Sequence, residues 1–108
     1  MAYAITVTDD AARDLDELYA HTHLREGAGA ADAFLARLEA AFEALMELPE
    51  GELHPPELWA LGIREYRQLE VGRYRLIYRL AAEEVQVLLL CDRGRSLQSL
   101  LQRRLLES

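Results

Sequence analysis

Along this chain the spacing of hydrophobic positions switches between two residues and three to four, and each switch marks a change of element. Tyr3 to Val7 alternates and ends in β-branched residues, which predicts a short strand. Thr8 follows as a helix N-cap, with Asp9 and Asp10 in the first turn, where the helix dipole favours negative charge. Ala11, Leu15, Leu18, Tyr19 and Thr22 then recur at helical spacing as one packing face, while Asp14, Asp16 and Glu17 fall off that stripe and are expected in water. Glu26-Gly27-Ala28-Gly29 predicts a turn. A second helix is predicted from Ala30 to Leu48, with Phe34, Leu35, Leu38, Ala41, Phe42, Leu45 and Met46 as a continuous stripe and Pro49 closing it. Two helices joined so closely predict an antiparallel hairpin.

Residues 49–62 contain all three prolines and the only tryptophan, and read as a loop with one helical turn at Glu57 to Ala60. Three strands are predicted next: Arg64 to Glu70, Arg73 to Leu80, and Val85 to Cys91, with turns at Val71-Gly72 and Ala81 to Glu84. Such short connections predict consecutive antiparallel hairpins, with the N-terminal strand joining an edge. On the middle strand, alternation sets Tyr74, Leu76, Tyr78 and Leu80 on a core face and Arg73, Arg75, Ile77 and Arg79 on the other, as a row of guanidinium groups. Ser96 can cap a last helix with Leu97, Leu100, Leu101 and Leu105 as its apolar stripe and Arg103 and Arg104 near its C-terminal end. The expected fold is α+β: an N-terminal strand, an antiparallel helical hairpin, a three-stranded antiparallel meander and a C-terminal helix. Neither side of the proline loop is large enough to fold alone, so residues 1–108 are read as one domain.

Composition adds an asymmetry. Residues 1–63 carry thirteen Asp/Glu and three Arg, whereas residues 64–108 carry six Asp/Glu and nine Arg. Lysine is absent, and the total is −7. A chain this acidic is a poor generic phosphate binder, although a local arginine face can still make planar bidentate contacts. The longest apolar run is far short of the ~20 residues that span a bilayer, and no basic segment followed by an apolar one opens the chain, so neither a membrane span nor a secretory signal is expected. The single cysteine, Cys91, fits a reducing cytoplasm.

Arg64, Arg67, Arg73, Arg75, Arg79, Arg93 and Arg95 fall within one stretch, Ile63 to Arg95, which makes it the candidate functional region. Arg75 has a structural alternative, a cross-strand pair with Glu65 or Glu70, and Arg93 and Arg95 could pair with Asp92. Tyr74 and Tyr78 read as core residues, and Cys91 as a buried inert thiol with no histidine beside it. His21 and His23 point roughly 200° apart on a helix and would not share an ion, so no metal is expected. Trp59 reads either as a loop anchor or as a partner contact. The leucine stripe at Leu97 and Leu101 either packs on the chain's own sheet or is covered by another chain.

Three runs carry a resemblance to a known family. Gly62-Ile63-Arg64-Glu65 resembles a G-x-R-E strand opening, Arg73 to Arg79 (RYRLIYR) a Y-R-[ILV]-[IVL]-Y core strand, and Asp92-Arg93-Gly94-Arg95 a basic cluster after the last strand. Together with the order of elements, they make the chain similar to the RelE/ParE superfamily, the toxin half of bacterial toxin–antitoxin pairs. RelE-like members cleave mRNA on the ribosome, and ParE-like members poison DNA gyrase. Carried over, Arg75 matches the strand arginine of the nuclease charge clamp, and Arg93 or Arg95 the arginine after the last strand. The lysines usual on the preceding strand are absent, and no Tyr, His or Lys follows Arg95 to move a proton. The resemblance therefore implies a ParE-like toxin that binds gyrase and is neutralised by a cognate antitoxin, without a cofactor. Its partner surface is expected to include Arg64, Arg67, Arg73, Arg75, Arg79, Arg93, Arg95, Leu97 and Leu101. A ribosome-dependent endoribonuclease, which would contact nucleic acid, and a non-toxic regulatory binding module are the alternatives.

Overall fold

The computed structural model describes residues 3–51, 53–94 and 96–107. Strand β1 (Ala4–Val7) ends at Thr8, whose Oγ1 accepts a hydrogen bond from the Ala11 N–H at 3.1 Å and so starts helix α1 (Asp9–Glu26). The turn expected over residues 26–29 shrinks to Gly27 alone. Gly27, at φ 95°, closes α1 by donating to the His23 carbonyl (3.0 Å) and its own carbonyl accepts from Ala31 (3.2 Å) to open helix α2 (Ala28–Glu47). Only glycine reaches that backbone angle without cost, so one residue suffices to reverse the chain and Ala28 and Gly29 join the helix. Pro49 follows the α2 C-cap, as expected.

Helical turn α3 (Pro56–Trp59) interrupts the proline loop and leads to the meander β2 (Tyr66–Val71), β3 (Tyr74–Ala81) and β4 (Glu84–Asp92). The sheet order is β1-β4-β3-β2, with β1 added parallel to β4 and the other pairs antiparallel. The register slips between Ile77 and Tyr78, whose partners are Leu89 and Val87, so Leu88 is the extra residue of a β-bulge. At the β2 edge the Gln68 N–H donates to the Leu53 carbonyl (2.7 Å) and His54 Nδ1 donates to the Tyr66 carbonyl (2.9 Å). The loop thereby blunts an edge that would otherwise offer unpaired backbone groups.

Both faces of the sheet are covered. On one, Tyr74, Leu76, Tyr78, Val85 and Val87 meet Phe34, Leu38 and Leu45 of the helical hairpin. On the other, Ile77, Leu89 and Cys91 meet Leu58 of α3 and Leu97 and Leu101 of helix α4 (Leu97–Glu107). The strand alternation is as predicted, but the second face is a buried layer and not an open row of guanidinium groups. Leu97 and Leu101, expected among the partner contacts, are 0% and 7% exposed. The chain's own sheet is what they bind, because Ile77 and Leu89 present an apolar patch that water would otherwise wet.

Asp14 also departs from expectation. Its Oδ1 lies 2.6 Å from Arg104 Nη2 and its Oδ2 accepts from the Leu90 N–H at 3.1 Å, while Arg104 Nη1 donates to the Leu88 carbonyl at 2.8 Å. Pairing of β1 with β4 stops at Val87, so β4 continues beyond its neighbour with backbone groups to satisfy. One acid and one arginine satisfy them and hold α1, β4 and α4 together. Burial pushes the Asp14 carboxyl above its ordinary value, against the lowering effect of the Leu90 N–H and Arg104. Among the described residues no helix is long and apolar enough to cross a membrane.

Candidate functional site

Arg75, the second residue of β3, projects onto the α4 side of the sheet, beside the start of α3. Its Nη1 and Nη2 donate to Glu57 Oε1 (2.9 Å) and Oε2 (2.6 Å), and Nη1 also donates to Gln68 Oε1 (3.0 Å). This is a bidentate guanidinium–carboxylate pair, the geometry that favours arginine over lysine. The arginine is 7% exposed. The partner is neither Glu65 nor Glu70 but an acid of the proline loop. The hydrogen bonds from Arg75 hold the Glu57 carboxyl below its ordinary value, and the same bonds raise Arg75 further. Both groups are therefore fixed in their charged forms.

The other described arginines of the stretch have partners of their own. Arg64 stacks on the Trp59 ring, its guanidinium carbon 3.9 Å from the ring centre. Arg67 sits on the helical-hairpin side and donates to the Glu50 carbonyl at 3.0 Å. Arg73, on the β2–β3 turn, leans over the Tyr74 ring at 5.5 Å and reaches Glu26 at 4.0 Å. Arg79 donates to Gln86, its register partner, at 2.7 Å and lies 4.0 Å from Glu65. Arg93 pairs with Glu70 at 3.4 Å, not with Asp92. Arg95 lies outside the described residues. The expected arginine surface is thus divided between two faces and one turn, and much of its charge meets carboxylates of the same chain.

The sheet around Arg75 offers little proton-transfer chemistry. Glu57 is committed to the guanidinium. Burial pushes the Tyr66 phenol up, so it is held protonated at neutral pH. Cys91 is buried, as expected. Tyr74 and Tyr78 are core residues, the Tyr78 hydroxyl donating to the Pro49 carbonyl at 2.6 Å. Among the described residues no group of three or more His, Cys, Asp or Glu is placed to hold a metal ion.

Sequence reasoning missed Glu57, Asp14 and Arg104 as partners. Glu57 stands in the first turn of a short helix preceded by two prolines, which rigidly aims the carboxylate; nothing in its spacing points to Arg75. Asp14 had a signal: four residues from Leu18, it lies only about 40° from it on a helical wheel, at the border of the packing stripe.

The strand order, the helical hairpin and the closing helix together define a fold of the RelE/ParE class. Residues 5–97 match the family described as ParE toxin of type II toxin-antitoxin system, parDE, and the chain belongs to that family. Among solved structures, the chromosomal ParDE toxin–antitoxin system from P. aeruginosa superposes with a TM-score of 0.69 at 19% identity, over 84% of this chain and 96% of that one. The toxin-antitoxin complex RelBE2 from Mycobacterium tuberculosis superposes with a TM-score of 0.59 at 23% identity, over 86% of this chain and 100% of that one. No curated protein matches the sequence.

Proposed function

We propose that the protein is the toxin of a type II toxin–antitoxin pair, held by a cognate antitoxin, and that it acts in the cytoplasm by binding DNA gyrase rather than by cutting mRNA. Membership of the ParE toxin family supports the first part, and similarity to ParDE and RelBE2 supports an antitoxin as partner. The observation that carries the choice of action is the Arg75–Glu57 pair. RNA cleavage needs a cation free to meet the charge building on phosphate and a group able to move the 2′-hydroxyl proton. Here the central strand arginine is buried and chelated, and the carboxylate beside it is held ionised by that chelation. The arrangement suits a rigid binding surface better than a phosphate clamp.

The test is gyrase supercoiling with the purified chain, with and without the product of the neighbouring gene, run beside mRNA cleavage in a translating extract. Inhibited supercoiling, relieved by that product, is the expected result. Cleaved mRNA with unaffected gyrase would overturn the proposed action, and uninhibited supercoiling together with intact mRNA would overturn toxicity itself.

A further inference from the structure

Where the Gly27 end of the helical hairpin meets the β2–β3 turn lies a cleft of about 400 Å³. Its wall is apolar, formed by Phe34, Val71 and Tyr74, with the Phe34 and Tyr74 rings edge to face at 5.3 Å. Polar groups stand over that wall. Arg37 of α2 is exposed and forms no ion pair with a described carboxylate. It lies against Gly72, where a Cβ would come within 3.2 Å of Nη1, so the glycine leaves the space that the guanidinium occupies. Arg73 borders the cleft from the turn, with Glu26 only loosely paired to it at 4.0 Å. Thr22 also lines the cleft; the residue is 5% exposed, and its buried Oγ1 has no hydrogen-bond partner among the described residues.

An unsatisfied buried hydroxyl is costly, and one carried by a residue at the wall of an open cleft calls for an acceptor brought to it from there. Two guanidinium groups against one carboxylate leave a single unit of positive charge there. That charge matches a carboxylate and falls short of a dianionic phosphate. The apolar wall alongside fits aliphatic side chains flanking the acid. We propose that this cleft seats one Asp or Glu side chain from an apolar-flanked acidic segment of a protein partner, with Arg37 and Arg73 as its charge contacts and Thr22 as its buried donor. The inference rests on the reading above in so far as the antitoxin is the partner that supplies the segment.

The probe is an acetylated, amidated Leu-Glu-Leu peptide, titrated into the ¹⁵N-labelled full chain and followed at the amides of Thr22, Gly72 and Arg73. Leu-Gln-Leu and inorganic phosphate serve as comparisons. Saturable shifts with the acidic peptide are expected, with the neutral one weaker by about tenfold, the usual scale for losing a charge-assisted contact. Arg37→Gln should abolish the shifts. Thr22→Val, which keeps the side-chain shape, should weaken binding several-fold while the remaining spectrum stays native. Equal binding of both peptides, stronger binding of phosphate, or an unchanged affinity in Thr22→Val would each overturn the proposal. The peptide result is independent of the gyrase assay: a toxin that inhibits gyrase yet ignores the peptide loses this cleft and keeps its function.

Discussion

Asp14 and Arg104 are 90 residues apart in the chain and 2.6 Å apart in the fold. Each also satisfies a backbone group of β4 next to the Leu88 bulge, the acid at the Leu90 N–H and the arginine at the Leu88 carbonyl. The pair thus replaces the strand that β1 is too short to provide. Asp14→Ala strands the Leu90 N–H and leaves Arg104, whose side chain is 23% exposed, with only the Leu88 carbonyl and the more distant Asp10 carboxylate at 3.9 Å. A loss of about 2–3 kcal/mol is expected by urea denaturation. Asp14→Asn, which still accepts from Leu90, should lose less. In a double-mutant cycle Asp14→Ala and Arg104→Ala should couple by about 1–3 kcal/mol; additive losses would show that the two act separately.

Acid should weaken the Arg75–Glu57 pair. Glu57 has a folded-state pKa below its ordinary value of 4.5, chiefly through the hydrogen bonds from Arg75. Its stabilising contribution is therefore complete above about pH 4.5 and is lost as the pH falls through the lower folded value. Asp14 has the opposite sign: its pKa is raised from 3.8 by burial, so its own contribution is greatest below that pH and declines as the pH rises through the folded value. Stability curves from pH 2 to 7 should show Glu57→Gln flattening the acid limb and Asp14→Asn steepening it. At neutral pH, Glu57→Ala leaves a guanidinium with 8% exposed side-chain surface and no carboxylate bound to it, facing Gln68 and Cys91. The expected loss is about 2–3 kcal/mol, below the usual figure for a buried pair because the Glu57 side chain is 35% exposed.

The β3–β4 turn carries a strained residue. Ala82 has φ 58°, the left-handed region that costs a residue with a Cβ about 1–2 kcal/mol. In the β2–β3 turn the equivalent first position is Gly72, at φ 62°, which meets the same demand without strain. Ala82→Gly should stabilise the fold by about 0.5–1 kcal/mol, after allowing for the extra freedom that glycine gives the unfolded chain. The converse change, Gly72→Ala, should destabilise it by at least as much and crowd Arg37. Thermal unfolding of the two variants checks both signs.

The element order was legible because its periods are strong: the stripes of α1 and α2 and the alternation along β3 leave little choice of face. The site was less so. Alternation assigns Arg75 to a face but says nothing of what covers that face, and its carboxylate arrives from a loop 18 residues upstream. The expected guanidinium row assumed an open sheet, whereas α3 and α4 close it. Asp14 was misplaced because a polar residue at the rim of a helical stripe can turn either way. Only the β4 backbone, left bare beyond Val7, decides which. Gly27 shortened the hairpin turn for a similar reason: composition shows that a helix breaks, while the positive φ of one residue decides how much chain the break consumes.

The terminal helix gives the last prediction. Leu97 is fully buried between α4 and the sheet, in the cluster that contains Ile77, Leu89 and Leu58. A helix only 11 residues long is marginal on its own in water, so α4 depends on this contact more than on its own propensity. Leu97→Ala removes the side chain from a packed site and should cost about 2–5 kcal/mol, as buried leucine truncations do. The loss should be local as well as global. Amide exchange should accelerate along α4 and at Leu89 and Cys91, while α1 and α2, which pack on the opposite face, keep their protection. Uniform acceleration across both faces would show instead that the two layers open as one unit. Leu100, half-buried at the edge of the same stripe, serves as the internal comparison: Leu100→Ala should cost less than half as much as Leu97→Ala.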